Sequence, residues 1–201
     1  MRLKPLPSSE YATRVARVQE ELRKEGLDVL VGYSSESESG TTRYLAGFWP
    51  FFDFSGVIVP AKGKAVLITG GPESLWFARK FANAPEIRVN PLFVETSAPE
   101  WVPQVSGESF KTLLPRACGR TPKRIGLLNG NIFPHPLFED LRKAAPKAEI
   151  VPADDVLLRA QMINDRQHET AHGKIHRAQL QDPDSGIWIL LRQSKCYGAG
   201  I

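Results

Sequence analysis

Cysteine is scarce in this chain of 201 residues: there are two, Cys118 and Cys196. They stand at no metal-ligand or redox spacing and build no disulfide framework, which favours a reducing compartment. Long apolar runs are also missing. The longest late one, residues 187–191, falls far short of the roughly 20 residues a membrane-spanning helix needs. The opening MRLKPLPSSEY has charge and proline where a secretory leader would have an apolar core. These absences lead us to expect a cytoplasmic protein with no membrane association. A preponderance of one charge is lacking as well: 26 Lys and Arg face 22 Asp and Glu, a net charge of +4. The basic residues are scattered, whereas a nucleic-acid binder would gather them into a stripe, so no nucleic-acid partner is expected.

What the chain does have is an ordinary globular composition, 42% hydrophobic and 24% charged residues, enough for one domain and a tail. Tyr11, Val15, Val18 and Leu22 recur at helical spacing within residues 9–25, and Gly26 provides a stop. Residues 27–32 (LDVLVG) read as a buried strand, followed by a Ser- and Gly-rich stretch, 34–42, taken as an irregular loop. Residues 54–60 and 64–69 are β-branched runs around Ala61-Lys62-Gly63, a hairpin pattern. Gly70-Gly71-Pro72 closes the second run and opens a helix over 72–82. A weaker strand at 86–89 and a helix over 105–117 come next. Strand 123–128, helix 136–145 and strand 148–151 form a right-handed parallel crossover, and Asp154 or Asp155 is expected to cap a last helix. The sum is an α/β fold with a mixed sheet and flanking helices.

The order of elements goes no further than that class, but one segment does. Arg43-Tyr44-Leu45-Ala46-Gly47-Phe48 follows the first strand and the polar loop, and leads through an aromatic stretch into the hairpin. It resembles the "YLTGF" segment of the creatinase, prolidase and aminopeptidase P family, at the same place in that family's N-terminal domain. The opening Tyr–x–x–Arg helix running into Leu27–Val31 fits as well. So does Arg159-Ala160-Gln161-Met162-Ile163, which resembles the entry of the helix joining that family's two domains.

The resemblance covers residues 9–163 and implies a ribonuclease-H-like domain that shapes substrate access and dimerisation. In full-length relatives a second, pita-bread domain supplies two aspartates, a histidine and two glutamates for two divalent metals. Residues 164–201 drift from that pattern, and their carboxylates are Asp165, Glu169, Asp182 and Asp184. A two-metal site needs carboxylates brought from several strands of a rigid cavity. The expectation is therefore no cofactor in this chain, no hydrolysis by it alone, and a divergent tail of truncated or altered sequence. The expected partner is a second copy in a homodimer, or the catalytic domain of a full-length relative.

Four aromatic residues fall within six positions, Trp49, Phe51, Phe52 and Phe54. Phe54 reads as core, but Pro50 and Asp53 interrupt any regular strand. By the resemblance, Arg43, Tyr44, Trp49, Phe51, Phe52 and Asp53 are candidates for substrate-side or dimer contacts, against simple core and loop packing.

His168-Glu169-Thr170-Ala171-His172 spells H-E-x-x-H. On a helix, His168 and His172 would share a face and could hold zinc while Glu169 activates water. The third ligand is missing: His176 would lie roughly 12 Å along the helix from His168, too far for one ion. Gly70-Gly71-Pro72 could receive an anion at a helix start, yet without a following Lys-Ser/Thr it reads better as a tight turn. Asn129-Gly130-Asn131 reads as a turn needing positive φ. Three readings therefore stand: an accessory N-terminal domain, a free-standing α/β binding module, and a small zinc hydrolase built on His168, Glu169 and His172.

Overall fold

The computed structural model describes residues 6–51, 53–95 and 106–162. In chain order the elements are α1 (Ser8–Lys24), β1 (Val29–Ser34), α2 (Gly40–Ala46), β2 (Ser55–Pro60), β3 (Val66–Thr69), α3 (Pro72–Phe81), β4 (Glu86–Val89), a 3₁₀ turn Pro91–Phe93, α4 (Phe110–Cys118), β5 (Arg124–Leu127), α5 (His135–Ala144), β6 (Glu149–Pro152) and α6 (Asp154–Met162). Six strands form one sheet in the order β4-β3-β2-β1-β5-β6. β1 and β3 each pair antiparallel with β2; the β1–β5, β3–β4 and β5–β6 pairs are parallel. The mixed sheet, the central hairpin and the late crossover are those the sequence patterns anticipate.

Strand side chains alternate between the two faces of a sheet, and both faces here are covered. Leu30, Val57, Val59 and Leu67 pack with Val18 and Leu22 of α1, Leu45 of α2, Ala78 of α3, and Val156 and Leu157 of α6. Val29, Val31, Ile58, Ile68 and Ile125 pack on the opposite face with Phe93, Phe110, Leu113 and Leu114 of α4, and Leu137 and Leu141 of α5. Double coverage explains why β1 is buried along all six residues: its largely apolar run suits a strand with no solvent face.

Three local expectations are corrected. The stretch 34–42 is not wholly irregular, because α2 begins at Gly40. Thr41 and Thr42 are poor helix formers, but both are buried, and the Thr42 N–H donates to Ser34 Oγ at 3.3 Å. Tertiary burial outweighs propensity there. The helix expected over 105–117 starts at Phe110 instead, where the Phe110 N–H donates to Asp140 Oδ2 of α5 at 2.9 Å. Finally, Asp154 lies inside α6, and its carboxylate accepts the Asn129 N–H at 2.7 Å. It ties the turn after β5 to α6, and Asn129 takes the anticipated positive φ, 54°.

A candidate contact surface

The segment that carries the resemblance is divided between an inward joint and an outward surface. The joint starts on α1. Arg14 and Glu10 are 4% and 6% exposed, and Arg14 Nε bonds Glu10 Oε1 at 2.9 Å. An Arg at i+4 from Glu reaches it along one helix face, and burying either charge alone would be costly. The Arg14 guanidinium continues across to α2, donating to the Tyr44 carbonyl at 3.2 Å and lying 5.3 Å and 4.9 Å from the Tyr11 and Tyr44 ring centroids.

Tyr44 extends the joint to α6, its hydroxyl donating to the Ala160 carbonyl at 3.0 Å. Burial is the main force raising the Tyr44 phenol above its ordinary value, with the nearby Arg14 charge opposing it. Gly47 ends α2 in the left-handed conformation, φ 62°. A β-carbon at that position would stand 2.7 Å from the Tyr11 ring, so a side chain is barred by both backbone and space. Phe48, 2% exposed, is the last inward residue of the segment.

Immediately beyond it the chain turns outward. Trp49 is 49% exposed and Phe51 54% exposed, and their rings meet edge to face with centroids 6.4 Å apart. The Arg43 guanidinium lies 5.8 Å from the Trp49 ring centroid, within cation–π range. The Trp49 indole N–H donates to the Glu36 carbonyl at 3.0 Å, fixing the ring to the loop after β1. Phe54 turns back in, its ring 5.5 Å from that of Tyr33 in the core.

Asp53 is an anchor. Its Oδ2 accepts from the Gly71 N–H at 2.7 Å and Ser74 Oγ at 2.8 Å, and its Oδ1 from the Glu95 N–H at 3.0 Å. The start of α3, which could have received an external anion, is thus served by the chain's own carboxylate. Of the six candidate contact residues, Arg43, Trp49 and Phe51 come together at the surface. Tyr44 and Asp53 are spent mainly on internal bonds, and Phe52 lies outside the described residues. His168, Glu169 and His172 lie outside them too.

Sequence reasoning missed what the surface adjoins. A cavity of about 520 Å³ opens there, lined by Trp49, Phe51 and Asp53 together with Ser35, Glu36 and Glu95 among others. Glu36 and Glu95 come from loops that are far from Trp49 in sequence. The Ser/Glu-rich composition of residues 34–39 was the available signal, and it read only as a polar loop. Among the described residues no three His, Cys, Asp or Glu side chains gather as a metal-holding group. Nor does any described helix have the length and apolarity to cross a membrane.

A sandwiched mixed sheet with a buried joint across α1, α2 and α6 and an aromatic surface beside it defines an α/β domain. A family model described as the creatinase/prolidase N-terminal domain matches residues 14–163; the chain belongs to that family. Solved structures agree on the fold. The dipeptidase PepE of Mycobacterium ulcerans aligns over 82% of this chain and 40% of its own, at 19% identity and a TM-score of 0.57. The prolidase of Pyrococcus horikoshii OT3 aligns over 77% of this chain and 36% of its own, at 17% identity and a TM-score of 0.53. A proline dipeptidase of Streptococcus pneumoniae TIGR4 aligns over 75% of this chain and 98% of that solved chain, at 17% identity and a TM-score of 0.54. No curated protein matches the chain. The chain thus spans about two fifths of the M. ulcerans dipeptidase and a little over a third of the P. horikoshii prolidase.

Proposed function

We propose that this chain acts as a non-catalytic accessory domain of a prolidase- or aminopeptidase P-like system, presenting Arg43, Trp49 and Phe51 to a second copy or to a catalytic domain at its substrate entrance. One observation carries the reading. Two large rings stand about half exposed directly after a segment whose own aromatic and aliphatic side chains, Tyr44, Leu45 and Phe48, pack inward. Apolar rings held outward by fixed bonds, as Trp49 is by Glu36, favour a contact role over failed packing. The fold supports the reading in a second way: the dipeptidase and the prolidase it resembles are longer chains, of which this domain covers 40% and 36%.

The test is association measured with function. Sizing over a range of concentrations should show self-association that Trp49→Ala and Phe51→Ala weaken. Added manganese, cobalt or zinc should elicit no Xaa-Pro cleavage. A monomer at every concentration, with no affinity for a prolidase catalytic domain, would overturn the proposal. So would metal-dependent turnover that survives His168→Ala with His172→Ala.

A further inference from the structure

We infer that the outward face of α3 is a self-complementary interface, on which a second copy of this chain lays its own α3 antiparallel across a two-fold axis near Trp76. The inference does not rest on the surface of Arg43, Trp49 and Phe51, with which it shares no residue. Trp76 is 61% exposed and Phe81 51% exposed, and with the half-buried Phe77 they form a run of rings. The Trp76 and Phe77 centroids are 6.4 Å apart, those of Phe77 and Phe81 4.6 Å. A Trp left in water forgoes one of the largest apolar gains a side chain has, and Trp is enriched where such gains hold partners together.

The helix that carries the rings is held firmly. At its start Asp53 accepts from the Gly71 N–H at 2.7 Å and Ser74 Oγ at 2.8 Å. Ser74 and Ala78, 3% and 0% exposed, seat the opposite face in the domain. The rings therefore stand on a fixed ridge, not on a loop.

Charge selects the occupant. Glu73 stands three residues before Trp76, Arg79 and Lys80 three and four residues after it, and all three are exposed. Positions three and four apart share a helix face, so this face runs acid, ring, base. None of the ion pairs among the described residues uses Glu73, Arg79 or Lys80. Lys80 lies instead over the Trp76 and Phe81 rings, 4.9 Å and 5.6 Å from their centroids.

An antiparallel copy reverses the order. Its Arg79 and Lys80 meet Glu73, its Glu73 meets Arg79 and Lys80, and the two Trp76 rings meet at the axis. A two-fold interface requires such self-complementarity, and charges so placed set orientation more than they add affinity. A parallel copy would set acid against acid and base against base. An anionic membrane would favour the rings and bases but repel Glu73 among them.

The experiment is a charge exchange in the full chain, read by analytical ultracentrifugation with Trp49 and Phe51 left intact. The unaltered chain should dimerise, and Trp76→Ala should raise the dissociation constant about tenfold or more. Glu73→Lys makes the face wholly basic; Arg79→Glu with Lys80→Glu makes it wholly acidic. Each should be monomeric alone where the unaltered chain is dimeric, and the two mixed should form a one-to-one dimer that Trp76→Ala in both abolishes. Trp76→Ala, at an exposed position, keeps the test decisive should a charge variant unfold. Dimers indifferent to Trp76→Ala, folded charge variants that do not pair on mixing, or a monomer at every concentration would overturn the inference. So would a monomer that binds phosphatidylserine vesicles and loses them with Arg79→Glu and Lys80→Glu, which would give α3 to a membrane. Neither Trp49 nor Phe51 is altered, so this inference and the reading above fail separately.

Discussion

Tyr44 and Trp49 are five positions apart in one continuous segment, yet they live in opposite environments. Tyr44 is half-buried, bonded to α6 through Ala160 and stacked under Arg14. Trp49 stands in solvent on a loop, holding Glu36 and covered by Arg43. The Gly47 turn separates them, and it exists because Tyr11 leaves no room for a side chain there. A family-like run of residues is therefore not one functional unit. The run itself joins three helices, and the rings just beyond it, Trp49 and Phe51, stand about half exposed.

The joint should yield the largest effects. Arg14→Ala leaves the Glu10 carboxylate buried without its partner, and should cost about 3–5 kcal/mol in urea denaturation. Replacing both, as Glu10→Leu with Arg14→Met, should recover most of that loss. A loss under about 1 kcal/mol for Arg14→Ala would place the pair in water rather than in the joint.

A smaller effect belongs to Asp28, just before β1. Its carboxylate accepts the Lys123 and Arg124 N–H groups at 2.6 Å and 3.0 Å and pairs with the Arg120 guanidinium. Burial works against its charge, but those donors and Arg120 outweigh it and hold the carboxyl below its ordinary range. A depressed carboxyl stabilises the fold above its unfolded pKa, and the contribution drains away as pH falls through the folded value. Asp28→Asn should therefore cost about 1 kcal/mol near pH 7 and flatten the loss of stability below about pH 4. An acid limb of unchanged slope would contradict this.

Tyr44→Phe should cost about 1 kcal/mol, the worth of its bond to Ala160. The phenol's raised pKa gives the opposite pH signature: its contribution is complete below the unfolded value near 10 and fades as pH rises further. Wild-type stability should thus fall faster above about pH 10 than that of the Phe variant. The smallest change is expected on the outward side, where Trp49→Ala should alter stability by about 0.5 kcal/mol or less, while weakening association.

Much of this was legible in the residues. Helical spacing in α1, β-branched runs around Ala61–Gly63, and the Pro72 start of α3 all place their elements within a few residues. The segment Arg43–Phe48, the opening Tyr–x–x–Arg helix and Arg159–Ile163, taken together in their order and spacing, pointed to the family that the match over residues 14–163 shows. What stayed hidden was long-range. Nothing local says that Asp53 would cap α3 and hold Glu95, or that Ser-rich residues 34–39 would wall a cavity with Trp49. Nothing in the sequence around Glu10 and Arg14 marks the pair as buried, since burial depends on where α2 lands. Asp154 or Asp155 was expected to cap the last helix; both lie within its first turn, and Asp154 serves a turn 25 residues earlier.

The central claim, that one segment turns from core to contact surface between Phe48 and Trp49, is tested by two alanines three residues apart. Phe48→Ala and Phe51→Ala are compared by chemical denaturation at a concentration where the chain is monomeric. Phe48, 2% exposed, should lose about 3–5 kcal/mol, and Phe51, 54% exposed, less than about 1 kcal/mol. Losses of equal size, both in the core range, would make Phe51 ordinary packing and remove the contact surface from the account.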